Sequence, residues 1–241
     1  MTARTTETSP QAYARTCGAL YLYIIVAGIF AESVRSGLIV SADAAATARN
    51  ILANESLFRL AFSGELLHLA CDVAVAVLLY VLLRPVNRNI ALLAAFMRLA
   101  SDVVLAVASL SHLAALRLLE NAGYLASFQP EQLQSLALLA LKLHGSAYAI
   151  SLVFFGFACL ALGHLVFRAS YLPRPLGVLL GIAGLCYLVD SFVAFLAPAL
   201  SSMLFPAIFL PAFVAELGLA LWLIIKGVDV DRWREAVHSK G

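Results

Sequence analysis

The chain has 241 residues, of which 63% are hydrophobic and 12% charged. Soluble domains are about one-quarter charged, so the composition excludes a water-soluble globular protein, and no polar stretch is long enough for a separate soluble domain. A formal net charge of +2 gives no footing for nucleic acid, which leaves the lipid bilayer as the first partner.

A spanning helix needs about 20 mostly apolar residues. Residues 1–14 form a short polar segment. The apolar run behind them has no small-residue cleavage site and reads as a retained signal-anchor. Six runs predict spans: 16–34, 57–83, 89–116, 135–167, 175–197 and 206–226. The second and fourth exceed one crossing, so their ends tilt or project. Between the first two, SADAAATARNILANESLF predicts a short surface helix capped by Ser41 or Asp43, with Ala44, Ala48, Ile51 and Leu52 on one face. The loops RPVNR and RASYLPRP read as tight connections. The residues from about 227 to 241 predict a cytoplasmic C-terminal helix anchored by Trp233. Arg88 to Asp102 and Arg174 to Asp190 enclose similar apolar stretches, too thin a likeness to call a repeat. Gly177, Gly181 and Gly184 fit a close helix contact. Cys17, Cys71, Cys159 and Cys186 lie in apolar runs without a CxxC and read as packing thiols.

The basic residues alternate between loops. Arg4, Arg15, Arg84, Arg88, Arg168, Arg174, Lys226, Arg232, Arg234 and Lys240 flank one set of helix ends, against Arg35, Arg49, Arg59 and Arg117 on the other. The positive-inside rule then puts both termini in the cytoplasm, which agrees with an even number of spans. The expectation is an all-α, six-helix transmembrane bundle over 1–241, multi-pass in the inner cell membrane.

Glu65, His68, Asp72, Arg98, Asp102, His112, Lys142, His144, Asp190 and Glu216 fall in the half of the spans away from the Arg-rich ends. Counted from those ends, Arg98 and Glu216 lie about 15 Å deep, Asp102 about 21 Å, Glu65 about 28 Å, and His112 and His144 about 36 Å. A charge in hydrocarbon costs several kcal/mol, so it faces the bundle interior, a partner or a wet cavity. Glu65, His68 and Asp72 share a helix face, and Arg98 and Asp102 can pair four residues apart. Five acids stand against two fixed bases, Arg98 and Lys142, and the three excess charges need protons, imidazolium, a metal or other cation, or water. Glu32 and Arg35 fit an interfacial ion pair at the cavity mouth. Pro211 can free carbonyls near Glu216.

Three functions fit these residues. The first is proton- or cation-coupled binding or transport of a small-molecule or lipid ligand in an outward-facing cavity above a dry inner half. It uses Glu65, His68, Asp72, Arg98, Asp102, Lys142, His144, Asp190 and Glu216. The second is a metal-dependent intramembrane hydrolase of a lipid-like substrate, with His68, Asp72 and His144 (or His112) as ligands and Glu65 behind them as base. A haem between His68 and His112 or His144 is a further cofactor the residues allow. The third is a structural or signalling accessory protein with a satisfied polar core. No HExxH, Walker loop, dinucleotide fingerprint or GxSxG elbow is present.

YLYIIVAGIFAE, DAAATARNILANESLFRL, CDVAVAVLLYVLLRPVNRNIALLAAFMRL and LVFRASYLPRPLGVLLGIAGLCYLVDSF together resemble the bacterial membrane family catalogued as domain of unknown function 4386. The resemblance implies a bacterial polytopic membrane protein and carries over no activity and no catalytic residue. The chain differs from the zinc hydrolases of the alkaline ceramidase and progestin/adiponectin-receptor type in having six spans and no HxxxH in the last.

Overall fold

The structure, a computed structural model, describes residues 9–120, 122–204 and 206–239. Among these the regular structure is wholly helical. The helices are α1 (Pro10–Leu38), α2 (Ala44–Ala53), α3 (Glu55–Leu83), α4 (Arg88–Leu119), α5 (Pro130–Arg168), α6 (Arg174–Leu196), α7 (Pro198–Leu204), α8 (Leu210–Ile225) and α9 (Val230–His238), with 3-10 turns at Gly123–Leu125 and Ala207–Phe209. Six segments are long and apolar enough to cross a membrane: α1, α3, α4, α5, α6 and Ala207–Ile225.

Helix ends follow local chemistry. Ser9 accepts from the amide of Gln11, and Pro10 occupies the first turn, so α1 begins inside the stretch expected to be a polar lead. Residues 1–8 of that lead, with Arg4, lie outside the described residues. Asp43 caps α2 by accepting from the Ala46 amide at 2.8 Å. The buried face of α2 is Thr47, Ala48 and Ile51, while Leu52 points outward. Pro211 sits in the first turn of α8 rather than in a helix interior. Its missing N–H therefore costs nothing there and frees no carbonyl beside Glu216. The loop expected before the sixth span instead holds α7. The C-terminal helix is also shorter than expected: Gly227 turns the chain at φ +69° and Asp229 caps α9.

The spans pack in chain order around a closed ring, α1 to α3, α4, α5, α6, α8 and back to α1. Helix α2 crosses one end and touches α1, α3, α4 and α5. The other end carries most of the arginines. There Gln11 donates to the Lys226 carbonyl (2.9 Å) and accepts from the Val228 amide (3.1 Å). The Leu82 carbonyl accepts both the Tyr171 hydroxyl (2.8 Å) and the Trp233 indole N–H (3.0 Å), which seats α9 on the end of α3.

Apolar packing divides into two clusters. The larger, with Tyr21, Leu79, Leu165, Leu180 and Leu219, fills the Arg-rich part of the ring. The smaller joins Val34, Ile51, Phe58, Ala61, Leu116 and Leu141 beneath α2. Along their helices Phe58 and Ala61 lie on the α2 side of Glu65, Leu116 on the α2 side of His112, and Leu141 on the α2 side of His144. The polar residues therefore lie between two apolar layers. The open outer cavity expected from the sequence is instead roofed.

Helices α5 and α6 approach most closely at glycines. A Cβ on Gly163 would lie 2.7 Å from the Gly177 carbonyl oxygen, and one on Gly184 would lie 2.7 Å from that of Gly156. Gly181, grouped with these by sequence, has no neighbour within 4 Å of the same position. We expect Gly163→Ala to cost about 1–3 kcal/mol through overpacking. Gly181→Ala is expected to be neutral, or stabilising by up to about 1 kcal/mol through helix propensity. Thermal unfolding in detergent compares the two, and equal midpoints would contradict this packing.

A candidate metal centre above a buried ion network

Three helices, α1, α4 and α5, deliver side chains to Glu65 of α3. The Ser109 hydroxyl of α4 donates to its Oε1 at 2.7 Å, and His144 Nε2 of α5 lies 3.0 Å from the same oxygen. Arg35 Nη1 of α1 donates to Oε2 at 3.2 Å, and His112 Nδ1 of α4 stands 3.8 Å from it. Arg35 Nη1 also lies 3.3 Å from His144 Nε2. When that nitrogen carries the proton given to Glu65, the arginine contact is one of packing. On its other side Arg35 holds Glu32 Oε2 through Nη2 (3.0 Å) and Nε (3.3 Å). The Glu32 side chain is 52% exposed and that of Arg35 14%, so this pair links the outside to the buried carboxylate.

His112 is fully buried and boxed by aromatic rings, with Phe58 at 4.2 Å, Phe62 at 5.7 Å and His144 at 5.6 Å between centroids. Neither of its ring nitrogens has a hydrogen-bond partner among the described residues. Glu65, His112 and His144 each present a ligand atom, and these atoms lie within 4.8 Å of one another. The three are a buried group of metal-coordinating type. Among the described residues it is this set that the fold gathers, not His68, Asp72 and His144.

A second polar layer lies deeper. Arg98 of α4 is 1% exposed, and its Nε donates to both oxygens of Asp72 on α3 at 2.9 Å. Its guanidinium lies between the rings of Tyr21 (4.7 Å) and Phe155 (5.0 Å), so α1 and α5 close over the charge. Arg98 Nη1 reaches the Tyr21 hydroxyl at 3.5 Å. The Tyr187 hydroxyl of α6 donates to the carboxylate of Glu216 on α8. The fork of Arg98 goes to Asp72 and not to Asp102, the pairing that its spacing suggested, and Asp102 Oδ2 has no hydrogen-bond partner among the described residues. Asp190 is buried three residues beyond Tyr187 on α6.

Two other candidates stand apart. His68 is partly buried and its ring lies against α1, 3.8 Å from where a Cβ on Gly28 would stand. Lys142 is exposed. Arg35 replaces it as an interior base, so five buried acids still face two bases. The residues that sequence reasoning passed over are Ser109, Tyr21 and Tyr187. Ser109 carried a signal, since it stands three residues before His112 and seven after Asp102 on one face of α4.

The sequence pattern of a family described as "Domain of unknown function (DUF4386)" matches residues 16–227, which includes every residue of both layers. An uncharacterised protein of Archaeoglobus fulgidus is 30% identical over 166 residues, covering 68% of this chain and 82% of its own length. No solved structure matches.

Breaking a buried pair strands the surviving charge and costs about 3–5 kcal/mol. Arg98→Gln alone is expected to lower the unfolding midpoint sharply. The double change Arg98→Gln with Asp72→Asn is expected to cost less than the sum of the single changes. Additive losses in thermal unfolding would show that the two side chains are not coupled.

Proposed function

The chain belongs to the family of domain of unknown function 4386, a membership that brings no reaction with it, and from the side chains alone we propose that Glu65, His112 and His144 hold one divalent ion of the zinc class and hydrolyse a lipid-like substrate within the membrane. The observation that carries this reading is His112, a buried imidazole with both nitrogens unspent. A buried polar group without a partner costs about 1–3 kcal/mol, and a metal ion is a natural taker for an imidazole lone pair. Two histidines and a carboxylate are a ligand set of catalytic zinc centres, leaving a fourth position for water or substrate. Bound there, the ion would supply an acidified water and polarise the oxygen under attack.

The chain's own groups support the rest. Ser109 fixes the Glu65 carboxylate. Arg35, beside Glu65 and His144, is placed to receive negative charge developing on a carbonyl or phosphoryl oxygen. Glu32 holds Arg35 from the exposed side and can accept a proton there. The roof of Ile51, Phe58 and Leu141 favours a substrate whose apolar part stays in the bilayer while its polar bond reaches in past Arg35 and Glu32. The excess of basic residues at the opposite ends supports cytoplasmic termini and a multi-pass place in the cell membrane, with the metal layer in the outer half.

A second reading, proton- or cation-coupled binding or transport, is supported by the deeper layer. Asp102 Oδ2 is buried without a partner among the described residues, and the acids outnumber the arginines. Infrared difference spectra that lose a titrating carboxyl band in Asp102→Asn would favour it.

Elemental analysis of the full chain, purified without chelator, tests the metal reading. We expect about one zinc per chain, lost in His112→Ala and Glu65→Gln and kept in His68→Ala. Zinc retained in His112→Ala, or none taken up by the unmodified chain, would overturn it. Arg35→Gln should keep the metal and slow cleavage of a medium-chain nitrophenyl ester by about 100-fold. An unchanged rate would remove Arg35 from the chemistry.

A further inference from the structure

A cavity lies far from the proposed metal centre, at the Arg-rich end. It has a volume of about 630 Å³ and is bounded by the last turn of α3, the turn into α4, and α9. Arg84, Asn87, Arg88 and Asn89 supply its polar wall, Tyr80 stands at its membrane side, and α9 closes it with Ala236 and Val237. No acid lines it. Arg84 and Arg88 are exposed and make no ion pair among the described residues. Arg59, Arg117 and Arg35 at the other end all have carboxylate partners. The first amides of α4 are not what the cavity offers, since Asn87 Oδ1 already accepts from Asn89 and Ile90 (both 3.1 Å). Two guanidinium groups and two amide side chains remain, a donor set suited to phosphate oxygens.

The surface beside the cavity says where the rest of such a ligand goes. On α4, Leu93 and Phe96 follow Asn89 by four and seven residues and are exposed at 49% and 61%. On α3, Val77 and Val73 precede Tyr80 by three and seven residues and are also exposed. Each pair continues its cavity residue's own helix face into the membrane. A polar pocket for phosphate therefore opens onto two apolar stripes.

We propose that this cavity is a binding site for an anionic phospholipid, with the headgroup phosphate held by Arg84 and Arg88 and the acyl chains lying along Leu93, Phe96 and Val77. Helix α9 is part of the site. It is seated by Trp233 on the Leu82 carbonyl, so the wall bearing Ala236 and Val237 is fixed to α3 rather than free in solvent. The proposal does not depend on the metal centre, which lies at the opposite end of the same spans.

Native mass spectrometry of the full chain in detergent, with added phosphatidylglycerol or phosphatidylcholine, tests it. We expect one tightly held phosphatidylglycerol per chain and no comparable phosphatidylcholine. The double variant Arg84→Gln/Arg88→Gln should weaken that binding at least about tenfold, as two near-surface arginines imply. Arg15→Gln/Arg168→Gln removes two exposed arginines of the same face outside the cavity and should change it little. Equal weakening in both double variants would reduce the effect to general surface charge and overturn the site. Glycerol phosphate that competes at the lipid's own concentration would overturn the lipid assignment in favour of a soluble phosphate ester. Val237→Trp fills the cavity without touching its charge, and undiminished lipid binding in that variant would also count against the proposal.

Discussion

A guanidinium group with almost no exposure, in the middle of an apolar bundle, sets the terms for everything around it. Removing that charge from water costs several kcal/mol that the membrane interior does not return. Arg98 is held because all but one of the six spans answer it directly or through a neighbour. Asp72 of α3 meets its fork, Tyr21 of α1 and Phe155 of α5 cover its faces, and Phe155 packs edge-on against Tyr187 of α6, which donates to Glu216 of α8. Helix association in lipid lacks the hydrophobic drive available in water, so hydrogen bonds and close packing must specify it. This network and the glycine contacts of α5 with α6 do so around the ring.

The same constraint separates the deeper layer from the upper one. The deeper side chains largely answer one another, and Asp102 Oδ2 is the exception. In the upper layer Glu65 is well served, but neither ring nitrogen of buried His112 has a hydrogen-bond partner among the described residues. A polar group in that condition marks where a fold has spent stability on something other than stability. The two layers therefore differ in kind: the deeper one ties spans together, and the upper one is a buried group of metal-coordinating type, which the proposed function would use.

Much of this was legible in the chain, and what was not has geometric reasons. The apolar runs located six spans, and the seven-residue step from Glu65 to Asp72 put both on one face of α3. Lys142 and His144 could not both point inward, because two residues turn a helix through about 200°, and depth alone does not carry that information. Arg35 was assigned to Glu32, its nearest acid in sequence, although its Nη1 reaches on to Glu65 thirty residues away. Arg98 and Asp102 had good spacing within α4, but the fork of Arg98 turned to α3. Pairing within a helix can be read from spacing, whereas pairing between helices depends on rotations that only packing fixes.

The ring closes where α8 meets α1, the last span against the first. An order of assembly follows. As the chain emerges into the membrane, α1 arrives early and α8 late, so α1 must wait in the bilayer for a neighbour made most of the described chain later. Asp72 is the companion of Arg98 in that interval, since α3 and α4 leave the ribosome in succession and can pair as a hairpin. The bundle would then grow outward from that hairpin, and translation of α8 would be the event that converts an open row of helices into a closed one.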